Sequence, residues 1–174
     1  NIRQLPESFG NLTKLKTLDL RNNYLSWALP ESMGNLVNLE TFYINNPYTN
    51  YYGTIGWPNK VTRLPTNIGN WTKLLDIWLS GNALTSLPES FGSFTGLTSL
   101  DLSQNKLTDL PENFGNMINI TSLTLDQNSL MSLPESFGNL GSLRSLSISY
   151  NPLTSLPVSF GNLGNLQNFY MNFA

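Results

Sequence analysis

Residues 97–119 read LTSLDLSQNKLTDLPENFGNMIN, and residues 120–142 read ITSLTLDQNSLMSLPESFGNLGS. Superposed, the two stretches share Leu or Ile at position 1, Leu at 4, 6, 11 and 14, Asn at 9, Pro at 15 and Phe-Gly-Asn at 18–20. The same frame begins at Leu15, Leu39, Leu74 and Leu143, and residues 1–14 and 166–174 are partial units. Positions 4 and 6 are apolar among polar 3, 5 and 7, which is the period of a half-buried strand. Asn23, Asn82, Asn105, Asn128 and Asn151 stand at position 9. A short amide there can satisfy the backbone of a sharp turn and of the next unit's loop. Proline at 15 fixes φ and predicts an irregular or 3-10 segment. Phe9, Phe91, Phe114, Phe137 and Phe160, with Met33 and Ile68 as substitutes, predict an apolar spine behind the strands. Glycine at 19 is expected to permit a tight return. One unit cannot bury its own leucine face, whereas stacked units bury a continuous one.

The chain has 174 residues, room for one domain. Charged residues make up 11% of it, against about 25% in an ordinary soluble domain. Asn, Ser and Thr (24, 19 and 15) take their place, and the net charge is −2. The chain has no Cys and no His. Disulfides, thiolate nucleophiles, thiolate metal sites and every Ser-His or Cys-His arrangement are thereby excluded. Without a Lys/Arg run, nucleic acid is not expected as a partner. No apolar stretch is long enough for a membrane span, so membrane insertion is not expected either. No catalytic residue, cofactor or metal-ligand set is assigned.

The repeating pattern resembles the leucine-rich repeat family over essentially the whole chain, in a 23-residue form with a Leu-Pro-x-x-Phe-Gly-Asn-Leu return. That return is similar to those of plant and protist repeats and of Ras-group scaffolds. The resemblance implies a right-handed α/β solenoid, or horseshoe. A parallel β-sheet of about seven strands would line the concave face, with loops and 3-10 turns on the convex face. It also implies a single repeat domain over 1–174 that binds another protein without catalysis.

Two units depart from the frame. The unit from Leu15 has one extra residue within Leu25–Leu29, and the unit from Leu39 has 12 too many before Leu74. Counting back from Leu64 places the insertion at 45–60, with Tyr48, Tyr51, Tyr52 and Trp57 among Pro, Gly and Asn. Position 5 of successive strands is Asp19, Tyr43, Trp78, Asp101, Thr124, Ser147 and Tyr170. Tyr43 and Trp78 are therefore neighbours on the concave face, at the insertion's root. Two readings stand. The aromatics fold onto Tyr43, Trp78 and Trp27 as a satellite core, or they form a binding site, since Tyr and Trp suit recognition hot spots. The partner would be a protein, or alternatively a carbohydrate or small ligand on the Tyr/Trp cluster. The chain could equally be the recognition domain of a larger receptor or signalling protein.

Asp76, Asp101 and Asp126 hold positions 3, 5 and 7 of consecutive units and predict a diagonal acidic stripe, solvated and suited to a basic partner. Seven of the nine basic residues precede position 74, and Lys16, Asp19 and Arg21 are expected to pair among themselves. Both ends fall within a unit, so the chain reads as the core of a longer protein. The strand from Leu166 has no Lys, Pro or charge to protect its outer edge. Self-association through residues 166–174 is expected from that edge.

Overall fold

A computed structural model describes residues 2–46 and 59–172 of the chain. Its strands are β1 (Thr17–Asp19), β2 (Ser26–Ala28), β3 (Thr41–Tyr43), β4 (Lys60–Arg63), β5 (Asp76–Trp78), β6 (Ser99–Asp101), β7 (Ser122–Thr124), β8 (Ser145–Ser147) and β9 (Asn168–Tyr170). β1, β3 and β5–β9 form one parallel sheet, in that order. The position-5 residues pair in register from Asp19 through Tyr43, Trp78, Asp101, Thr124 and Ser147 to Tyr170. Each strand of this sheet is three residues long and covers positions 3–5, with the apolar position 4 at its centre. Short 3-10 turns such as Glu89–Ser93 and Glu135–Asn139 return the chain, each beginning just after the repeat's proline.

The core lies between sheet and turns. Leu18, Phe42, Ile77, Leu100, Leu123 and Leu146 are buried from the strand side, whereas Phe169 at the same position of β9 is exposed. Phe91, Phe114, Phe137 and Phe160 stack from the turn side, with ring centroids 6.2–6.4 Å apart and planes within 9°. Met33 and Ile68 continue this buried row. At their end of the core, Trp71 is buried edge-on to Phe42 at 5.1 Å and donates its indole N–H to the Met33 carbonyl at 2.8 Å.

The position-9 asparagines form a ladder. Asn105 is typical: Nδ2 donates to the carbonyls of Leu79, Leu102 and Ser103, and Oδ1 accepts from Leu84 N–H. Leu79 and Leu84 belong to the preceding repeat, so the amide reaches backward along the stack, not toward the next unit. Asn59 makes three of these four bonds. Its Nδ2 donates to Leu20 and Ile44 carbonyls at 2.9 and 3.2 Å, and its Oδ1 accepts from Leu25 N–H at 3.0 Å. The repeat therefore runs to Asn46, at position 8, and resumes at Asn59, at position 9. The residues in excess of the frame are 47–58, a narrower span than 45–60.

Glycine at position 19 serves proximity more than conformational freedom. A Cβ on Gly115 would collide with the carbonyl oxygen of Ser136 in the next repeat. The left-handed conformation falls at position 8 instead, where Asn22, Gln104, Gln127 and Tyr150 have φ near +55° and Gly81 has φ +71°. The extra residue of the 24-residue unit falls in β2. This strand pairs with β4 in a separate two-stranded parallel sheet, with a register shift between Trp27 and Ala28.

Candidate functional site

On the open face of the seven-stranded sheet, β3 and β5 carry Tyr43 and Trp78 at the same register position. Strand spacing brings adjacent aromatic rings into contact. Their centroids are 4.8 Å apart with planes tilted by 43°. Two polar contacts hold the pair. Tyr43 donates its hydroxyl to Asp76 Oδ2 at 2.6 Å. Arg21, just past β1, lies 5.3 Å from the Tyr43 ring centroid and 5.6 Å from that of Trp78. The guanidinium is gripped by Asp19, with Nε on Oδ1 at 2.9 Å and Nη2 on Oδ2 at 2.6 Å. An aromatic pair, a planar cation and two carboxylates thus form one cluster across three strands. Trp78 remains 42% exposed.

The electrostatics follow from these contacts. The hydrogen bond from Arg21 lowers the Asp19 pKa, and Asp19 in turn raises that of Arg21. The hydrogen bond to Asp76 raises the Tyr43 pKa, because the carboxylate favours the protonated phenol. Lys16 does not join this group. It pairs with Glu40 on the neighbouring repeat at 2.8 Å, so the expected three-way pairing reduces to Asp19 with Arg21.

The three diagonal carboxylates have separate occupations and do not form a uniform solvated stripe. Asp76 holds Tyr43. Asp101 accepts Ser103 N–H at 2.9 Å and is the register partner of Trp78. Asp126 accepts from the Ser147 hydroxyl through both oxygens, and its Oδ1 also takes Ser149 N–H at 2.7 Å, so it braces the sheet. Tyr48, Tyr51, Tyr52 and Trp57 lie outside the described residues. The chain leaves and re-enters beside the cluster. Asn46 Nδ2 donates to the Asn59 and Gly81 carbonyls and its Oδ1 accepts from Asn59 N–H, so one amide closes the neck between residues 46 and 59. Trp27 stands apart, on the small second sheet with φ +76° and 73% exposed, and does not join Tyr43 and Trp78.

Sequence reasoning missed two members of this region. Arg21 reads as a surface ion pair because stacking the units aligns equal positions and does not show a position-7 side chain lying over the position-5 ring of the next strand. Asn59 is hidden by the insertion, although counting back five residues from Leu64 finds it. A separate shallow depression of about 370 Å³, lined by Thr98, Asn119, Thr121 and Arg144 among others, contains no residue of the cluster.

A leucine rich repeat family profile matches residues 76–130 and 118–173, and a second matches residues 14–36. None of the curated proteins matches the sequence. Among solved structures, the chain is similar to the ectodomain of the receptor kinase GASSHO1/SCHENGEN3 from Arabidopsis thaliana, solved with CASPARIAN STRIP INTEGRITY FACTOR 2. That likeness has 30% identity and a TM-score of 0.77, over 98% of this chain and 20% of that one. The Arabidopsis receptor kinase HAESA ectodomain, in complex with an extended IDA peptide hormone, is similar at 30% identity and a TM-score of 0.72, over 98% of this chain and 28% of that one. A Leptospira interrogans repeat protein is similar at 26% identity and a TM-score of 0.60, over 97% of this chain and 53% of that one. The chain thus spans between a fifth and about half of these relatives. With profiles over more than half its length and the asparagine ladder of each repeat in place, the chain belongs to the leucine-rich repeat family.

Proposed function

We propose that the chain is a non-enzymatic recognition module that binds a protein or peptide across the open face of its sheet, centred on Tyr43 and Trp78. The observation that carries this reading is the exposed aromatic pair, fixed from both sides by Arg21 and Asp76. Rings held this way offer large contact area with little rotamer entropy left to lose. Apart from Tyr170 on the last strand, the outward positions of the sheet around them carry Ser, Thr, Asp, Asn and Arg21, so the pair is the one place where two large aromatics adjoin on the described face. HAESA is solved with a peptide hormone ligand and GASSHO1/SCHENGEN3 with CASPARIAN STRIP INTEGRITY FACTOR 2, which supports a peptide or protein as the ligand class. In this reading Tyr48, Tyr51, Tyr52 and Trp57 contribute to binding the same partner. The module serves as the recognition part of a longer receptor or signalling protein. A glycan stacked on Trp78 is the competing ligand class. Selection of displayed random peptides on the chain tests the proposal. Binders that are lost with Tyr43→Ala and Trp78→Leu support it. Binders indifferent to both substitutions, or capture by a glycan array with no peptide binders at all, contradict it.

A further inference from the structure

Across the centre of the open face the register order is Asp19, Tyr43, Trp78, Asp101: carboxylate, aromatic, aromatic, carboxylate. The two outer carboxylates are held alike. Asp19 Oδ1 accepts the N–H of Arg21 at 3.0 Å, and Asp101 Oδ1 accepts the N–H of Ser103 at 2.9 Å, each two residues on. The halves differ in one respect. On the Asp19 side, position 7 is Arg21, whose guanidinium lies over both rings and is held by both carboxylate oxygens. On the Asp101 side, position 7 is Ser103, which brings no charge. Among the described residues, which include all nine Lys and Arg, the ion pairs are Lys16–Glu40 and Arg21–Asp19, and Asp101 has none. Trp78, next to it, keeps an exposed indole. Asp76, Asp101 and Asp19 outnumber the one local cation, so the field on this side is negative.

We propose that Trp78 and Asp101 form a seat for an arginine side chain of the binding partner, the counterpart in trans of the seat that Arg21 fills in cis. This rests on the recognition role proposed above and names its specificity. The planar guanidinium can lie on an indole while its edge hydrogen-bonds a carboxylate, as Arg21 does with Asp19; a lysine ammonium offers a point charge without the plane. Asp126, whose oxygens are taken by Ser147 and Ser149, is not part of the seat.

Random dodecapeptides displayed on phage and selected on the chain at low salt provide the probe. The expected result is enrichment of arginine at one fixed place. In a synthetic copy of a selected peptide, changing that arginine to citrulline is expected to weaken binding about tenfold. Asp101→Asn, which keeps the acceptor for Ser103 N–H, is expected to weaken the arginine peptide similarly and to leave the citrulline peptide unchanged. That coupling is the signature of a direct contact. Equal melting temperatures confirm that Asp101→Asn is folded. Selected peptides that require Tyr43 and Trp78 yet show no arginine preference overturn this inference while leaving the recognition role intact. A citrulline effect of the same size on both proteins overturns it as well. Peptides indifferent to Tyr43→Ala and Trp78→Leu overturn both.

Discussion

Asn59→Ala is expected to destabilise the chain by about 2–4 kcal/mol, despite lying at the edge of an insertion where substitutions are usually tolerated. Asn59 is 1% exposed. Its Oδ1 is the acceptor for the Leu25 N–H, and a buried donor left unsatisfied costs about 1–3 kcal/mol. The two carbonyls it serves fare better. Leu20 also receives Asn23 Nδ2, and Ile44 also receives Asn82 Nδ2, so their loss adds roughly 1 kcal/mol. Urea unfolding followed by circular dichroism gives the change as a shift in midpoint at constant slope. Asn105→Ala, within an uninterrupted repeat, serves as the benchmark. Asn59→Asp adds a test of sign. A carboxylate in this buried seat would face two carbonyls, so its folded pKa would be raised. The variant is therefore least impaired below the ordinary aspartate range and loses stability as pH rises through the raised value. A cost below about 0.5 kcal/mol for Asn59→Ala, with Asn105→Ala at full cost, would refute the continuous ladder.

Phe114→Ala is expected to cost about 3–5 kcal/mol, because a fully buried ring stacked on both sides is lost, whereas Thr124→Ala on the open face changes stability by less than about 0.5 kcal/mol. Gly115→Ala is also expected to destabilise, while Gly161→Ala, where an added Cβ meets nothing within 4 Å, is neutral; thermal melts compare all four. Glu135 accepts the N–H groups of Ser159 and Val158, and these bonds lower its pKa. Its contribution is complete above the ordinary glutamate range and is lost as pH falls through the lowered value, so Glu135→Gln flattens the acid limb of a stability–pH profile. Phe169 and Tyr170 of β9 are 41% and 53% exposed, and sedimentation at tens of micromolar is expected to show association of this chain that Phe169→Lys weakens. Monomers at every concentration would contradict it.

The repeat made most of the fold legible. Alternation at positions 4 and 6 places each strand, the proline places each turn, and the phenylalanines place the spine, because stacked units repeat one solution. The same logic put Tyr43 beside Trp78. What it could not supply are contacts between different positions of adjacent repeats. Arg21 over Tyr43 and Tyr43 on Asp76 join different positions of adjacent repeats, while Asn46 on Asn59 joins two positions of one repeat that the insertion separates in sequence. The role of Gly115 is hidden from the sequence for the same reason. Its neighbour is the next repeat's backbone, and no property of its own unit shows that. Position 8 escaped notice because Asn, Gly, Gln and Tyr all occupy it, and only the backbone conformation unites them.

Docking of partners is expected on the open face at Tyr43 and Trp78. Hydroxyl-radical footprinting with a selected peptide tests it most directly, since oxidisable side chains are exposed on several faces. These include Trp78 at 42%, Trp27 at 73%, Met131 at 65% and Tyr150 at 50%. Saturating peptide is expected to protect Trp78 and Tyr43 and to leave Trp27 and Met131 as reactive as before. Protection of Trp27 or Met131, with Trp78 still freely oxidised, would contradict it.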